Sequence, residues 1–157
     1  PSAAVKASAL VAGGDVNGLR VGVILAAILR APAILPEFEA DLERLDCRNA
    51  DHAALRAALL NAHMSNAPDI PATVAQEIGT GPLESLLRSR HVAVVPCVRT
   101  PGLTELARLT VTEELAKIEA AAGVQAEIAE AVEDLSADPD ERLTWRLGQA
   151  ADARNRA

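Results

Sequence analysis

Residues 18–30 read GLRVGVILAAILR, a stretch that is apolar on most faces of a helix. Asn17 just before it is a residue type that caps helix N-termini, and Pro32 follows two residues after its end. A helix that is apolar all round must be covered by other elements on all sides. The stretch therefore predicts a buried central helix around which the rest of the domain packs.

The segments that follow predict further helices. One apolar stripe at spacings of three and four runs through residues 32–45, with Pro36 in its first turn, and a third helix from about Asp51 ends before Ser65. The inward residues are Ile34, Leu35, Phe38, Leu42 and Leu45 in the first stripe, and Leu55, Leu59 and Ala62 in the second. Short helices are expected at 71–78 and from Pro82, on either side of a Gly79–Gly81 turn.

Residues 91–102, HVAVVPCVRTPG, have the β-branched character of a strand. Pro96 and Pro101 bound this stretch so closely that an extended linker under the bundle is the preferred prediction.

The C-terminal third of the chain predicts a helical hairpin. Residues 104–135 contain no proline and one glycine, Gly123, so one helix of about 30 residues can form. A turn at 136–140 and a final helix at about 140–154 complete an αα-hairpin. Its predicted apolar seam consists of Leu115, Ile118, Ala121, Val124, Ile128, Ala131 and Leu135.

Composition agrees with a helical fold. The chain has 157 residues, half of them apolar, but its aromatic residues are only Phe38 and Trp145. A core of Ala, Leu, Val and Ile favours helices over sheet. The predicted class is therefore all-α, a multi-helix bundle followed by a long helix and a C-terminal αα-hairpin. The expected division is residues 1–15 as a linker or cut edge of a longer protein, 16–103 as the bundle, and 104–157 as the long helix and hairpin.

Charge and cysteine content limit the functional classes. The net charge is −7, and residues 101–157 carry six basic and twelve acidic side chains, which argues against strong direct nucleic-acid binding. Val21–Leu29, the longest apolar run, is about half the length of a membrane span. The two cysteines, Cys47 and Cys97, fit a reducing compartment, so we expect a cytoplasmic protein without a membrane span.

Residue patterns for catalysis or cofactor binding are weak. Cys47 with His52, and His91 with Cys97, lack the close spacing of zinc ligands, and no Lys-Ser/Thr follows Gly81 as in a phosphate loop. The ten acids between Glu113 and Glu141 fit a solvated face, because the seam of that helix is apolar. His63, near a helix end, is expected to interact with the terminal carbonyls. We predict no catalytic residue, no metal and no cofactor.

Two parts of the chain resemble the C-terminal helicase-binding domain of bacterial DNA primases. The first part is RVGVILAAILRAPAIL, PEFEADLERLDC and LRAALL, and the second is ERLTWRLGQAADAR with Trp145, Leu147 and Gln149 in Trp-x-Leu-x-Gln spacing. The resemblance covers most of residues 16–155. It implies a non-catalytic domain whose hairpin binds the N-terminal domains of the replicative helicase and recruits primer synthesis to the replication fork. The implied parent enzyme, a DNA primase, is a nucleotidyltransferase that makes RNA primers with separate zinc-binding and polymerase domains.

The resemblance also implies binding residues. Gln149 matches a helicase-contacting glutamine, while the basic residue expected four positions later is Ala153, so Arg154 is its stand-in. Arg20 and Val21 match the wall of a basic pocket for the acidic tail of single-stranded DNA-binding protein. That pocket is in doubt, because Ser85 stands where a lysine is expected and Arg88 would have to replace its charge.

The final helix has two distinct faces when successive residues are placed about 100° apart. Leu143, Leu147, Ala150 and Ala151 form the face toward the long helix, and Trp145 and Gln149 lie on the other side. The resemblance and this wheel together give Arg142, Trp145, Gln149 and Arg154 as the predicted helicase-binding residues, with Arg154 included on the resemblance. The alternative for Trp145 is that it folds back over a neighbouring turn or the bundle. Two other functions stay open, a helical DNA- or ligand-binding regulatory module and a helical-bundle enzyme with buried carboxylates.

Overall fold

The structure, a computed structural model, describes the backbone of residues 2–137 and the side chains of residues 16–136. The helices within that range are α1 (Ser2–Arg30), a 3₁₀ turn (Pro32–Ile34), α2 (Leu35–Arg44), α3 (Ala50–Met64), α4 (Ile70–Ile78), α5 (Thr80–Arg88), α6 (Arg90–Ala93), α7 (Pro96–Arg99) and α8 (Thr104–Ala137). Residues 2–137 contain no β-strand, and the all-α prediction is confirmed. Helix α8 continues through Ser136 and Ala137, the first two residues of the predicted hairpin turn. The rest of that turn and the predicted final helix lie outside the described residues.

The central helix is α1, and its residues from Val21 to Leu29 are all buried, as predicted. Complete burial of a side chain such as Ile24 or Leu25 contributes about 1.5–3 kcal/mol, so this helix supplies much of the driving force for folding. The predicted helix start at Asn17 is wrong, because α1 begins at Ser2 and passes through that residue. Residues 2–15, which the sequence predicts as a linker, contain five alanines and no proline, and α1 continues through Gly13 and Gly14.

Helices α2 and α3 bury the apolar faces that their periodicity predicts, and α3 packs on both α1 and α2. All five predicted residues of the first stripe are buried, and so are Leu55, Leu59 and Ala62 of α3. Asn49 caps α3, since its side-chain oxygen accepts hydrogen bonds from the backbone N–H of Asp51 (2.8 Å) and His52 (3.2 Å).

The segment after α5 differs from its prediction. Residues 91–102 do not form an extended linker, because α6 and α7 each make one helical turn there. Pro96 opens α7 at a position where a missing N–H is tolerated, so this proline starts a helix instead of preventing one. Val92, Cys97 and Val98 are buried, and their contact with the core favours compact turns over an extended chain.

The first turns of α8 pack on the core through small residues. Ala107 and Val111 are completely buried, whereas the larger Leu106 and Leu109 are 38% and 66% exposed. Leu109 is two residues after Ala107 and therefore lies on the opposite side of the helix, about 200° around its axis. The face of α8 that meets the core therefore carries smaller side chains than the outer face.

The chain divides into two compact units, Pro1–Ile118 and Glu119–Ala157. This division lies inside α8, between residues 118 and 119. The boundary predicted from the sequence lies before α8, between residues 103 and 104. The buried Ala107 and Val111 explain the difference, because they make the first turns of α8 part of the bundle core. Of the second unit, the structure describes residues 119–137.

Candidate functional site

The predicted helicase-binding residues Arg142, Trp145, Gln149 and Arg154 lie outside the described residues. The described part of the same predicted site is the second half of α8, which would form one side of the hairpin. We therefore built the candidate site from this helix and from the surface of the bundle.

The second half of α8 carries an exposed apolar stripe. Its large residues are Val124, Ile128, Val132 and Leu135, which the structure leaves 52–58% exposed. These four side chains share one face, because successive spacings of four, four and three residues keep them within about 80° of one another around the helix axis. The sequence seam missed Val132, because an alternation of three and four passes from Ile128 to Ala131. Leu115 and Ile118, earlier in the seam, pack partly buried against the core of the first unit.

The other side of this helix segment is acidic. Residues 119–137 contain five acidic side chains and no lysine or arginine. Glu127, Glu130 and Glu133 are exposed, in agreement with the prediction of a solvated face. An apolar stripe beside an acidic face fits a helical partner with apolar and basic side chains. Such a partner is also what the predicted final helix would supply, with Leu143 and Leu147 on one face and Arg142 and Arg146 beside them.

The residues predicted for the tail-binding pocket lie on two helices. On α1, Val21 is buried and Arg20 is half-buried. The Nη1 of Arg20 donates to the Lys117 carbonyl of α8 at 3.5 Å. Arg88 is exposed in the last turn of α5. A Cβ placed on Gly22 would lie 3.3 Å from Leu86 Cδ1, so α1 and α5 touch at that point. Arg20 is two residues before Gly22 on α1, and Arg88 is two residues after Leu86 on α5. A step of two residues places each arginine on the opposite side of its helix from the contact. Both arginines thus point away from the contact.

A basic segment between α5 and α8 escaped the sequence analysis. Residues 85–104 contain three arginines, Arg88, Arg90 and Arg99, and no aspartate or glutamate. All three side chains are exposed, and none forms a hydrogen bond or ion pair within the described part of the chain. Charge totals over residues 1–100 conceal this segment, because the acids of α2 and α3 cancel it. A count of charges in short sequence windows would have found it.

The cysteines and histidines are dispersed. Burial raises the pKa of the half-buried Cys47 thiol and lowers the pKa of His52. Cys97 lies in the core, with its Sγ 3.7 Å from Thr110 Oγ1. His63 contacts a side chain, with its Nε2 3.3 Å from Glu39 Oε2, and not the helix-end carbonyls that we expected. Among the described residues, no group of three or more His, Cys, Asp and Glu side chains could hold a metal ion.

Comparisons with known proteins leave the family open. No protein-family model matches the chain, and neither a curated protein nor a solved structure matches it. Within the described residues, no single helix is both long and apolar enough to cross a membrane. One pair of helical segments reaches that length and composition together, but it is bent by 103°; the segments are Val16–Arg30 and Pro32–Arg44.

Proposed function

We propose that this chain is a non-catalytic docking domain of a bacterial DNA primase, which binds the replicative helicase and brings primer synthesis to the replication fork. One observation carries the proposal: α8 is anchored in the bundle by Ala107 and Val111 and continues for about five turns beyond Ile118 with an exposed apolar stripe. A long helix of this kind is the support that a C-terminal helical hairpin needs. Together with the resemblance of residues 141–154, it supports helicase docking.

The proposed mechanism is docking by helix packing and charge complementarity, without bond chemistry. The final helix covers the stripe of α8 with Leu143 and Leu147, and presents Trp145 and Gln149 on its other face. A tryptophan beside an amide is typical of an interface anchor, and truncation of such a residue commonly costs about 2 kcal/mol or more of binding. Arg142 and Arg154 add positive charge to the same helix.

The test is binding of the chain to the N-terminal domains of the replicative helicase from the same organism. We expect Trp145→Ala and Gln149→Ala each to weaken binding by at least about tenfold, or about 1.4 kcal/mol, with an unchanged melting temperature. Arg48→Ala, a change at an exposed arginine of the bundle, is the control. If Trp145→Ala lowers the melting temperature strongly and binding is intact after refolding, Trp145 is a core residue and not a contact.

A second partner under this proposal is the acidic C-terminal tail of single-stranded DNA-binding protein, with Arg20, Val21 and Arg88 as its predicted contacts. Since Arg20 and Arg88 lie on different helices, Arg20→Ala and Arg88→Ala test the two sides of the predicted pocket separately. Loss of tail binding in Arg88→Ala but not in Arg20→Ala would restrict the site to α5 and its neighbours. Equal loss in both variants would favour the pocket as predicted.

A further inference from the structure

The bundle has a second surface that helicase docking does not use. It consists of α6, α7 and the first two turns of α8, and we call it the α6–α8 surface. Its exposed residues include two arginines, one glutamate and four large apolar side chains: Arg90, Arg99, Glu105, Val94, Leu103, Leu106 and Leu109.

Contacts between the helices make this surface continuous. Helix α6 contacts α7, and Val94 follows directly after α6. Cys97 on α7 places its Sγ 3.7 Å from Thr110 Oγ1, and that hydroxyl donates to the Leu106 carbonyl at 2.8 Å. Therefore α7 lies alongside the turn of α8 that bears Leu106.

Buried residues of the same elements anchor the α6–α8 surface to the bundle core. Five residues on these elements are buried in the bundle core: Val92, Cys97, Val98, Ala107 and Val111. The backbone N–H of Gly102 also donates to the Arg30 carbonyl at 3.2 Å, which joins the loop before α8 to the end of α1. The exposed leucines are thus held in place by neighbours and are not themselves needed for the core. Exposed apolar groups on a fixed surface mark interaction sites.

The charge of the surface is unbalanced. The side chains of Arg90 and Arg99 form no hydrogen bond or ion pair with other described residues, whereas Arg44, Arg48 and Arg108 each pair with a carboxylate. Glu105, the one acidic residue of the surface, already pairs with Arg108. In a chain of net charge −7, two arginine side chains without a carboxylate partner favour an acidic partner.

We propose that the α6–α8 surface binds an acidic amphipathic helix of a partner protein. Leu103 lies directly before α8, and its carbonyl accepts from the Ala107 N–H at 2.9 Å. At the helical rise, Leu103 and Leu109 are about 9 Å apart along the helix axis, which matches the distance of about 10 Å between the first and last apolar residues of a helix with an i, i+4, i+7 pattern. Arg90 and Arg99 pair with carboxylates on the flanks of that helix. A single-stranded nucleic acid fits less well, because aromatic stacking is its usual contact and Phe38, the one aromatic residue in 16–136, is buried.

The test uses a fluorescent synthetic peptide and the full chain. The peptide carries leucine in an i, i+4, i+7, i+11 pattern with glutamate at the flanking positions, and a scrambled peptide of equal composition is the control. Anisotropy titration should show binding of the patterned peptide, and Arg90→Glu with Arg99→Glu should raise its Kd by at least about tenfold. Leu109→Asp, at a residue 66% exposed, should have a similar effect with unchanged melting temperature.

A matched charge reversal separates local contacts from net charge. Arg44→Glu with Arg48→Glu changes two exposed arginines, one at the end of α2 and one in the loop before α3, and should leave the Kd within about twofold, a free-energy change of about 0.4 kcal/mol. Equal loss in both double variants, or equal binding of the scrambled peptide, overturns the proposal. It is also overturned if a single-stranded oligonucleotide binds this surface more tightly than the peptide does, or if Leu109→Asp abolishes only self-association of the chain.

Discussion

Arg108 on α8 donates to Glu37 on α2, with 2.6 Å between Nε and Oε2, and the two residues are 71 positions apart. The same guanidinium pairs with Glu105 one turn earlier on α8. Hydrogen bonds to Glu105 and Glu37 raise the pKa of Arg108. This ion pair joins α8 to α2 beside Ala107, which faces the core.

The first prediction concerns this pair. Arg108→Gln and Glu37→Gln should each lower the melting temperature slightly. The double variant should be more stable than the sum of the two changes predicts, because each single change leaves one charge without its partner. The effect should shrink in about 1 M salt, where the Debye length is about 3 Å. Arg44→Gln with Asp41→Asn, an exposed pair within α2, is the control. Additive changes that do not respond to salt would contradict an electrostatic role.

The second prediction compares two residues of α8. Val111→Ala should lower the free energy of unfolding by about 2 kcal/mol, because it removes two methyl groups from a fully buried site. Leu109→Ala removes a larger side chain but should change stability by less than about 0.5 kcal/mol, since Leu109 is mostly exposed. Urea unfolding measures both. The reverse order would mean that α8 packs on the face carrying Leu109.

The third prediction concerns two glycines of the first unit. Gly18 lies inside α1 with nothing within 4 Å of an added Cβ, so Gly18→Ala should stabilise the protein by about 0.5–1 kcal/mol. Gly79 has φ of 82°, a conformation that L residues rarely adopt, so Gly79→Ala should destabilise the protein by about 1 kcal/mol despite equal space. Thermal unfolding checks the signs. Two changes of the same sign would refute the assigned backbone at one of these positions.

The fourth prediction concerns pH and His52. Burial lowers the pKa of this half-buried ring below its ordinary value, and the nearby Asp51 opposes that shift. Between the lowered pKa and about 6.5 the unfolded chain binds more protons than the folded one, so stability falls as pH falls through about 6.5. His52→Gln should reduce this slope. An identical pH dependence of urea unfolding in the wild type and the variant would show that another group titrates.

Local sequence patterns predicted much of the bundle. The uniform apolarity of residues 21–29 requires burial on every side, and the three-and-four spacing from Ile34 to Leu45 fixes one inward face whatever that face meets. Proline in a first helical turn and the uninterrupted stretch from Thr104 likewise act within a few residues. For this reason the helical class, the central helix and the length of α8 could be predicted from the sequence.

The candidate site was less predictable. The apolar stripe of α8 follows from periodicity, except for Val132. The α6–α8 surface does not, because its arginines and leucines come from three elements that meet only in the folded chain. The predicted contacts in residues 142–154 depend on the resemblance and the helical wheel, and they stay predictions.

The sequence by itself determined that this protein is helical and which segments hold its core, because backbone preference and hydrophobic period are local properties. Only the tertiary structure decided that Ala107 and Val111, and not Leu106 and Leu109, meet the bundle. The size and hydrophobicity of a side chain indicate how much its burial contributes to stability, but they do not indicate which face of a helix meets its neighbours. On α8 the smaller residues Ala107 and Val111 meet the core, and the larger leucines lie on the outside, where a partner can reach them.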